Sequence, residues 1–161
     1  MTPDTALALA RTEIRFFKPG TPHGFLSNYF RWPFVLAGRR WENVEHRYQA
    51  SKFSHDPRLT EAICSHSHPD AAKSFAREHA AGCRPDWERV KLPVMRQAVW
   101  AKFGQSALLT RELLSTGEAC LIEDSPFDSF WGRGPMGTGE NHLGRLLMEL
   151  RAELWLVSGD P

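Results

Sequence analysis

Three cysteines, two tyrosines and a net charge of +1 are what this 161-residue chain has least of, and each shortage excludes something. Cys64, Cys83 and Cys120 are odd in number and widely spaced, which excludes a disulfide framework and reads as reduced thiols of a cytoplasm. The near-zero net charge disfavours binding duplex nucleic acid through its phosphates, so any polynucleotide contact has to be local and centred on a pocket. No apolar run approaches eighteen residues, and Met1 to Ala10 has neither a basic start nor a long apolar core. A membrane span and a secretory signal are therefore not expected. A Walker loop, an HExxH or CxxC partner and a GxSxG elbow are also missing. Cys64-Ser65-His66-Ser67-His68 matches no ordinary zinc spacing, and the seven scattered histidines read as surface or capping residues. No metal and no cofactor are expected.

What is present is enough to fill one core. With 42% hydrophobic and 24% charged residues, the chain reads as a single domain over 13–157, with residues 1–12 and 158–161 as flexible termini. Ile14 to Phe17 alternates like a short strand, and Trp32 to Trp41 forms a hairpin around Gly38. Helices are expected at Val44–Phe53 behind an Asn43 cap, at Pro57–Cys64, at Pro69–Ala80, at Val90–Phe103, at Ala107–Ser115 and at His142–Val157. Pro93 requires the fourth of these to begin there or to kink about one turn earlier. Ala119 to Glu123 reads as a brief strand. The fold class is mainly α (α+β): a compact helical domain with a small N-terminal β-hairpin.

Three segments carry candidate chemistry. Gly132, Gly134, Gly137 and Gly139 lie within eight residues, just before Asn141 and an amphipathic helix. Glycines let backbone approach a ligand, and Asn141 as N-cap would turn the helix dipole to the same space, a cradle for phosphate or pyrophosphate. No GKS follows and no βαβ unit surrounds it, and a flexible glycine-rich surface loop is the plain alternative. Asp128, Phe130 and Trp131 stand just upstream. Glu45, Gln49 and Lys52 share one helix face, either a solvated stripe or a polar wall beside Trp41, Tyr48 and Phe53. In the second case apolar neighbours raise the Glu45 carboxyl toward acid–base use. Gly24-Phe25-Leu26-Ser27-Asn28-Tyr29-Phe30 is a turn before the hairpin, or a lip for a base or ribose.

Taken in order, the blocks Gly24–Asn28, Val44–Phe53, Arg84–Lys91 with Val94-Met95-Arg96, Ala101-Lys102-Phe103, Leu113–Gly117, Asp128–Gly132 and Gly139–Glu149 resemble the NADAR, or YbiA-like, family over roughly residues 14–154. The resemblance implies an N-glycosidase acting on ribose attached to a nitrogen base, with catalytic Glu45 and Asp128, and with Trp87 in the pocket wall. Two branches are implied, one cleaving early riboflavin-synthesis intermediates and one removing ADP-ribose from guanine bases, a repair reaction of toxin–antitoxin type.

Lys18 is similar to the lysine of the second branch, where a buried lysine with a lowered pKa would attack the anomeric carbon and form a Schiff base. The expected activity is thus removal of ADP-ribose from guanine in DNA or RNA, with riboflavin intermediates or a non-catalytic ADP-ribose or NAD module as alternatives. The catalytic set is Lys18, Glu45 and Asp128. The binding set is Gly24, Phe25, Ser27, Asn28, Tyr48, Trp87, Trp131, Gly132, Gly134 and Asn141. The partner is an ADP-ribosylated guanine nucleotide, nucleic-acid end or single strand, met by a cytoplasmic monomer.

Overall fold

The computed structural model describes residues 12–159. In chain order these form β1 (Glu13–Phe16), β2 (Phe34–Leu36), β3 (Arg39–Trp41), α1 (Val44–Ser51), α2 (Pro57–Ser65), α3 (Pro69–Glu78), α4 (Trp87–Gly104), α5 (Ala107–Leu114), β4 (Cys120–Glu123) and α6 (His142–Ser158). The mainly helical α+β expectation holds. Of the expected flexible termini, 1–11 and 160–161 lie outside the described residues. Thr12 is tied in, its carbonyl accepting from the Cys120 N–H at 2.8 Å, and Ser158 closes α6.

The strands make two separate pairs. β2 and β3 form the expected antiparallel hairpin, with Phe34 opposite Trp41. Its turn residues Ala37 and Gly38 both have positive φ, the backbone that matches the twist of a two-residue hairpin. β1 and β4 pair in parallel although about a hundred residues separate them, and Phe16 stands opposite Glu123. Both strands therefore end at the same place, and the loops leaving them share one edge of the molecule.

The helices start where short polar side chains take up orphan N–H groups. Asn43 Oδ1 accepts from the His46 N–H at 2.9 Å, Asp56 caps α2, the His68 ring caps α3 and Ser106 caps α5. α4 runs from Trp87 through Pro93 to Gly104, so the helix does not begin at the proline as one of the two expectations had it. Pro93 is on the exposed side of the helix, where its ring and the hydrogen bond it cannot make meet solvent rather than core. α6 buries Leu143, Leu146, Leu147 and Leu150 on one stripe, as its periodicity predicts. α1 lies at the centre, packed on α2, α3, α4 and β3, and α6 closes over β4 and α5. Such a central position leaves α1 little solvent-facing surface, which decides the fate of its polar residues.

Candidate active site

Of the two readings of the α1 face, the buried one is correct. Glu45 is 6% exposed and Gln49 2%, so they form no solvated stripe. Gln49 Nε2 donates to Glu45 Oε1 at 2.7 Å, one turn apart on the same face. Burial pushes the Glu45 carboxyl up from its ordinary range, while the Gln49 hydrogen bond and the ammoniums of Lys73 and Lys52 draw it back down. Lys52 is half-buried over the rings of Tyr48 (5.4 Å) and Trp87 (5.7 Å), and burial lowers its pKa.

Around Glu45 the aromatic residues assemble into a wall. Tyr48 meets Trp87 edge-on at 5.0 Å and Trp131 at 5.5 Å, and Trp131 Nε1 donates to the Tyr48 hydroxyl at 3.1 Å. Each of these rings comes from a different segment, so the wall exists only in the folded chain. Asp128 turns its Oδ1 back onto the N–H groups of Phe130 (2.9 Å) and Trp131 (2.8 Å), which fixes the carboxylate at the foot of the wall.

Two groups outside the catalytic and binding sets named from the sequence lie beside Glu45. Glu123, the last residue of β4, sits in the field of both Asp128 and Glu45. Burial and those two carboxylates push its carboxyl up to about 8. Strand alternation was the available signal: Leu121 is fully buried, and Glu123, two residues on, shares its face. Tyr29 is the other. Its phenol is driven above the ordinary tyrosine range by burial and then by Glu45, with Asp70 and Glu123 adding to the effect. The result is three carboxyls, one phenol and two ammoniums, Lys52 and Lys73, gathered from α1 and its end, α3, β4 and two loops. His46 also departs from expectation. It is buried, with Nδ1 at 2.8 Å from Asn43 Oδ1 and Nε2 at 2.8 Å from the His66 carbonyl, and it holds the start of α1 to the end of α2.

The glycine-rich loop turns much of its backbone inward rather than toward a ligand. The N–H groups of Arg133, Gly137, Gly139, Glu140, Asn141, His142 and Leu143 are all occupied by carbonyls of the protein. Asn141 has φ 52° and makes no side-chain cap; its Oδ1 accepts from the Glu123 N–H and its Nδ2 donates to the Leu121 carbonyl, both at 2.9 Å. Asn141 thus stitches α6 to β4 rather than opening a helix to a ligand. Gly132 and Gly134 are buried, and a Cβ on Gly132 would lie 2.7 Å from the Glu123 carbonyl oxygen. These glycines admit backbone, not phosphate.

The Gly24–Asn28 segment is likewise anchored inward. Lys102, 1% exposed, donates to the carbonyls of Phe25 (2.6 Å) and Ser27 (3.0 Å). Ser27 Oγ accepts from the Tyr29 N–H and Asn28 Nδ2 reaches Met95 Sδ, so both side chains serve the turn. Gly24 is buried with its α-carbon against the Lys18 and Pro19 carbonyls, and Phe25 packs edge-on to Phe103. The Asn28 carbonyl then accepts from the Glu45 N–H, so the turn sets the height of α1. Lys18 departs from its expected setting: it is exposed, not buried, and its ammonium lies 5.9 Å from the Phe17 ring. Its carbonyl is nevertheless held by both the N–H and the hydroxyl of Thr21.

A NADAR domain model matches residues 15–155. The chain belongs to the NADAR family. It is 42% identical over 143 residues to N-glycosidase YbiA of Escherichia coli (strain K12), covering 89% of each chain, and 40% identical to an N-glycosidase of Nostoc punctiforme, covering 88% of this chain and 92% of that one. It is 43% identical to a riboflavin biosynthesis protein of Vibrio vulnificus, of which it spans 38%. The NMR structure of E. coli YbiA superposes with a TM-score of 0.84 at 40% identity, over 94% of this chain and 89% of that one. This NADAR protein is a hydrolase of N-glycosyl bonds. No helix among its described residues is long and apolar enough to cross a membrane.

Proposed function

We propose that this NADAR protein removes ADP-ribose from ADP-ribosylated guanine, acting as a monomer on nucleic-acid ends, single strands or nucleotides in the cytoplasm. The observation that carries this reading is Lys18. It follows β1, whose last residue pairs with Glu123, so an amine on a held backbone leaves the same strand end as the carboxyl cluster. Its exposure changes the expected chemistry: the amine meets substrate at the mouth of the site instead of waiting inside it. The amine has to give up a proton before it attacks C1, and a carboxylate of the cluster is the group to take it. Phe127, 85% exposed beside Asp128, and Met136, 82% exposed, give the rim apolar surface on which a base of a strand can stack.

Within the site, Glu45 serves as the acid–base group and Asp128 faces the ribose hydroxyls or the positive charge developing at C1. Tyr48, Trp87 and Trp131 form the wall against which a planar base or the ribose packs.

A second reading, cleavage of an early riboflavin-synthesis intermediate, is favoured by the occupied N–H groups of the glycine loop. A monophosphate ligand needs no long cradle, and relatives named for riboflavin biosynthesis share the domain. A module that merely binds ADP-ribose or NAD would have no use for the buried carboxyls.

Purified protein incubated side by side with ADP-ribosylated guanosine and with the ribosylated aminopyrimidine phosphate of riboflavin synthesis separates the readings. Release of ADP-ribose and unmodified guanosine is expected. Borohydride added during turnover should trap one ADP-ribose group on the peptide carrying Lys18, and Lys18→Ala should lose both the adduct and most of the turnover. Turnover of the pyrimidine alone would overturn the proposal in favour of the second reading. Tight ADP-ribose binding without any base release would favour the module.

A further inference from the structure

Glu123 is held more firmly than any strand packing requires. Its N–H donates to Asn141 Oδ1 at 2.9 Å, and its carbonyl accepts from the Arg133 N–H at 2.9 Å. The next N–H, that of Asp124, donates to the Phe16 carbonyl across the parallel pair at 2.8 Å. Gly132 lies so close that no side chain fits between. β1, the glycine-rich loop and the residue that opens α6 therefore converge on the backbone of one glutamate. The carboxyl they aim has its Oε2 buried without a hydrogen-bond partner among the described residues. A buried ionised oxygen left without a donor is costly, whereas a buried COOH keeps its proton and presents a donor to whatever enters.

Burial raises both glutamates of the site and both face Asp128, but their other neighbours differ. Glu45 receives the Gln49 N–H and faces two ammoniums, Lys73 and Lys52. Glu123 faces two carboxylates, Asp128 and Glu45, against Lys73 alone. Paired groups whose environments separate them in this way divide the roles of acid and base.

We propose that Glu123 is a catalytic residue, the acid that delivers a proton to the departing base, and that Glu45 is the base that takes a proton from the attacking water. The C1′–N bond breaks with its electron pair moving to the base nitrogen, which receives the Glu123 proton. A water oxygen bonds to C1′, and the proton it sheds goes to Glu45. One water is consumed, one C–N bond is replaced by a C–O and an N–H bond, and the proton on Glu45 returns to Glu123 to restore the starting state. Where Lys18 is the nucleophile instead of water, its amine displaces the base at C1′, and the base leaves with the Glu123 proton. The ring oxygen takes a proton from the bound amine as the sugar opens to the protonated imine, and one water then hydrolyses that imine to free the sugar and return the proton to Glu123. The inference rests on the N-glycosidase activity and not on the choice between the two substrates.

Two measurements test it. In substrate-free protein carrying ¹³C-carboxyl glutamate, one resonance should titrate near pH 8 and be missing from Glu123→Gln. If every glutamate titrates below about pH 6, ordinary for carboxyls, the assignment is overturned. For kinetics the probe is whichever of ADP-ribosylated guanosine and the ribosylated aminopyrimidine phosphate the wild type turns over. Glu123→Gln keeps the shape and should lower kcat/KM by about 10²-fold or more. The fall in wild-type rate above pH 8 should vanish in the variant. A slower variant that keeps that alkaline fall would make Glu123 a structural residue and overturn the proposal. Turnover of neither probe would count against the substrate reading under Proposed function, while the titration in wild-type protein would still decide Glu123.

Discussion

Gly132→Ala tests whether the glycine-rich loop is a clamp or a cradle. An added Cβ would lie 2.7 Å from the Glu123 carbonyl oxygen, 3.1 Å from Ser125 Cβ and 3.2 Å from the Asp128 carbonyl oxygen. Two of these neighbours are backbone, so no flexible side-chain end can swing away. Relief requires the end of β4 and the Asp128 turn to separate by about half an ångström, weakening the Arg133 N–H to Glu123 bond as they part. Overpacking of this kind costs about 2–3 kcal/mol, which for a domain of this size lowers Tm by roughly 5–10 °C. The same movement shifts two carboxyls of the site, and displacements well under 1 Å suffice for about a tenfold loss of kcat. The assay is a thermal melt followed by circular dichroism, paired with kcat and KM measured at least about 20 °C below the variant's midpoint, where it is fully folded. The clamp requires Tm and kcat to fall together with KM nearly unchanged. An unaltered Tm and kcat with a raised KM for a phosphate-bearing ligand would refute it and restore the cradle.

Glu45→Gln should lower kcat by about 10²-fold or more, since the amide keeps the shape but moves no proton. Because burial raises the Glu45 carboxyl, its ionisation opposes folding once pH exceeds the unfolded value near 4.3, so the variant should be more stable than wild type at pH 7–8 in urea melts. Lys102 is lowered to about 7 by burial, against about 10.4 when unfolded. The unfolded chain binds the extra proton between those values, so stability supplied at this residue rises with pH across pH 7–10. Replacing it with Met strands the Phe25 and Ser27 carbonyls, each worth about 1–3 kcal/mol, and the wild type's advantage over Lys102→Met should be larger at pH 9 than at pH 6.5. An advantage that shrinks as pH rises would contradict the buried-amine assignment.

The amphipathic stripe of α6, the Asn43 cap, the Ala37-Gly38 turn and the helices from α1 to α5 were legible in the sequence because each depends on residues within a turn or two of one another. So were Glu45, Asp128 and the aromatic residues as a set, since their blocks keep order and spacing. Distance along the chain hid the rest. The parallel pairing of β1 with β4 joins segments a hundred residues apart, and it alone turns Glu123 from the end of a short strand into a member of the site. Glycines and an asparagine before a helix look the same whether their free backbone meets a phosphate or another strand; the occupied N–H groups and the Asn141–Glu123 bond chose the strand. Burial was the other hidden quantity. A helix face reading Glu-x-x-x-Gln-x-x-Lys is polar wherever it lies, and only the packing of α1 between its neighbours removed water from Glu45 and Gln49. Composition and local spacing determined which groups this protein brings to its chemistry. The tertiary structure decided which of them are dry, which face one another, and therefore which hold a proton.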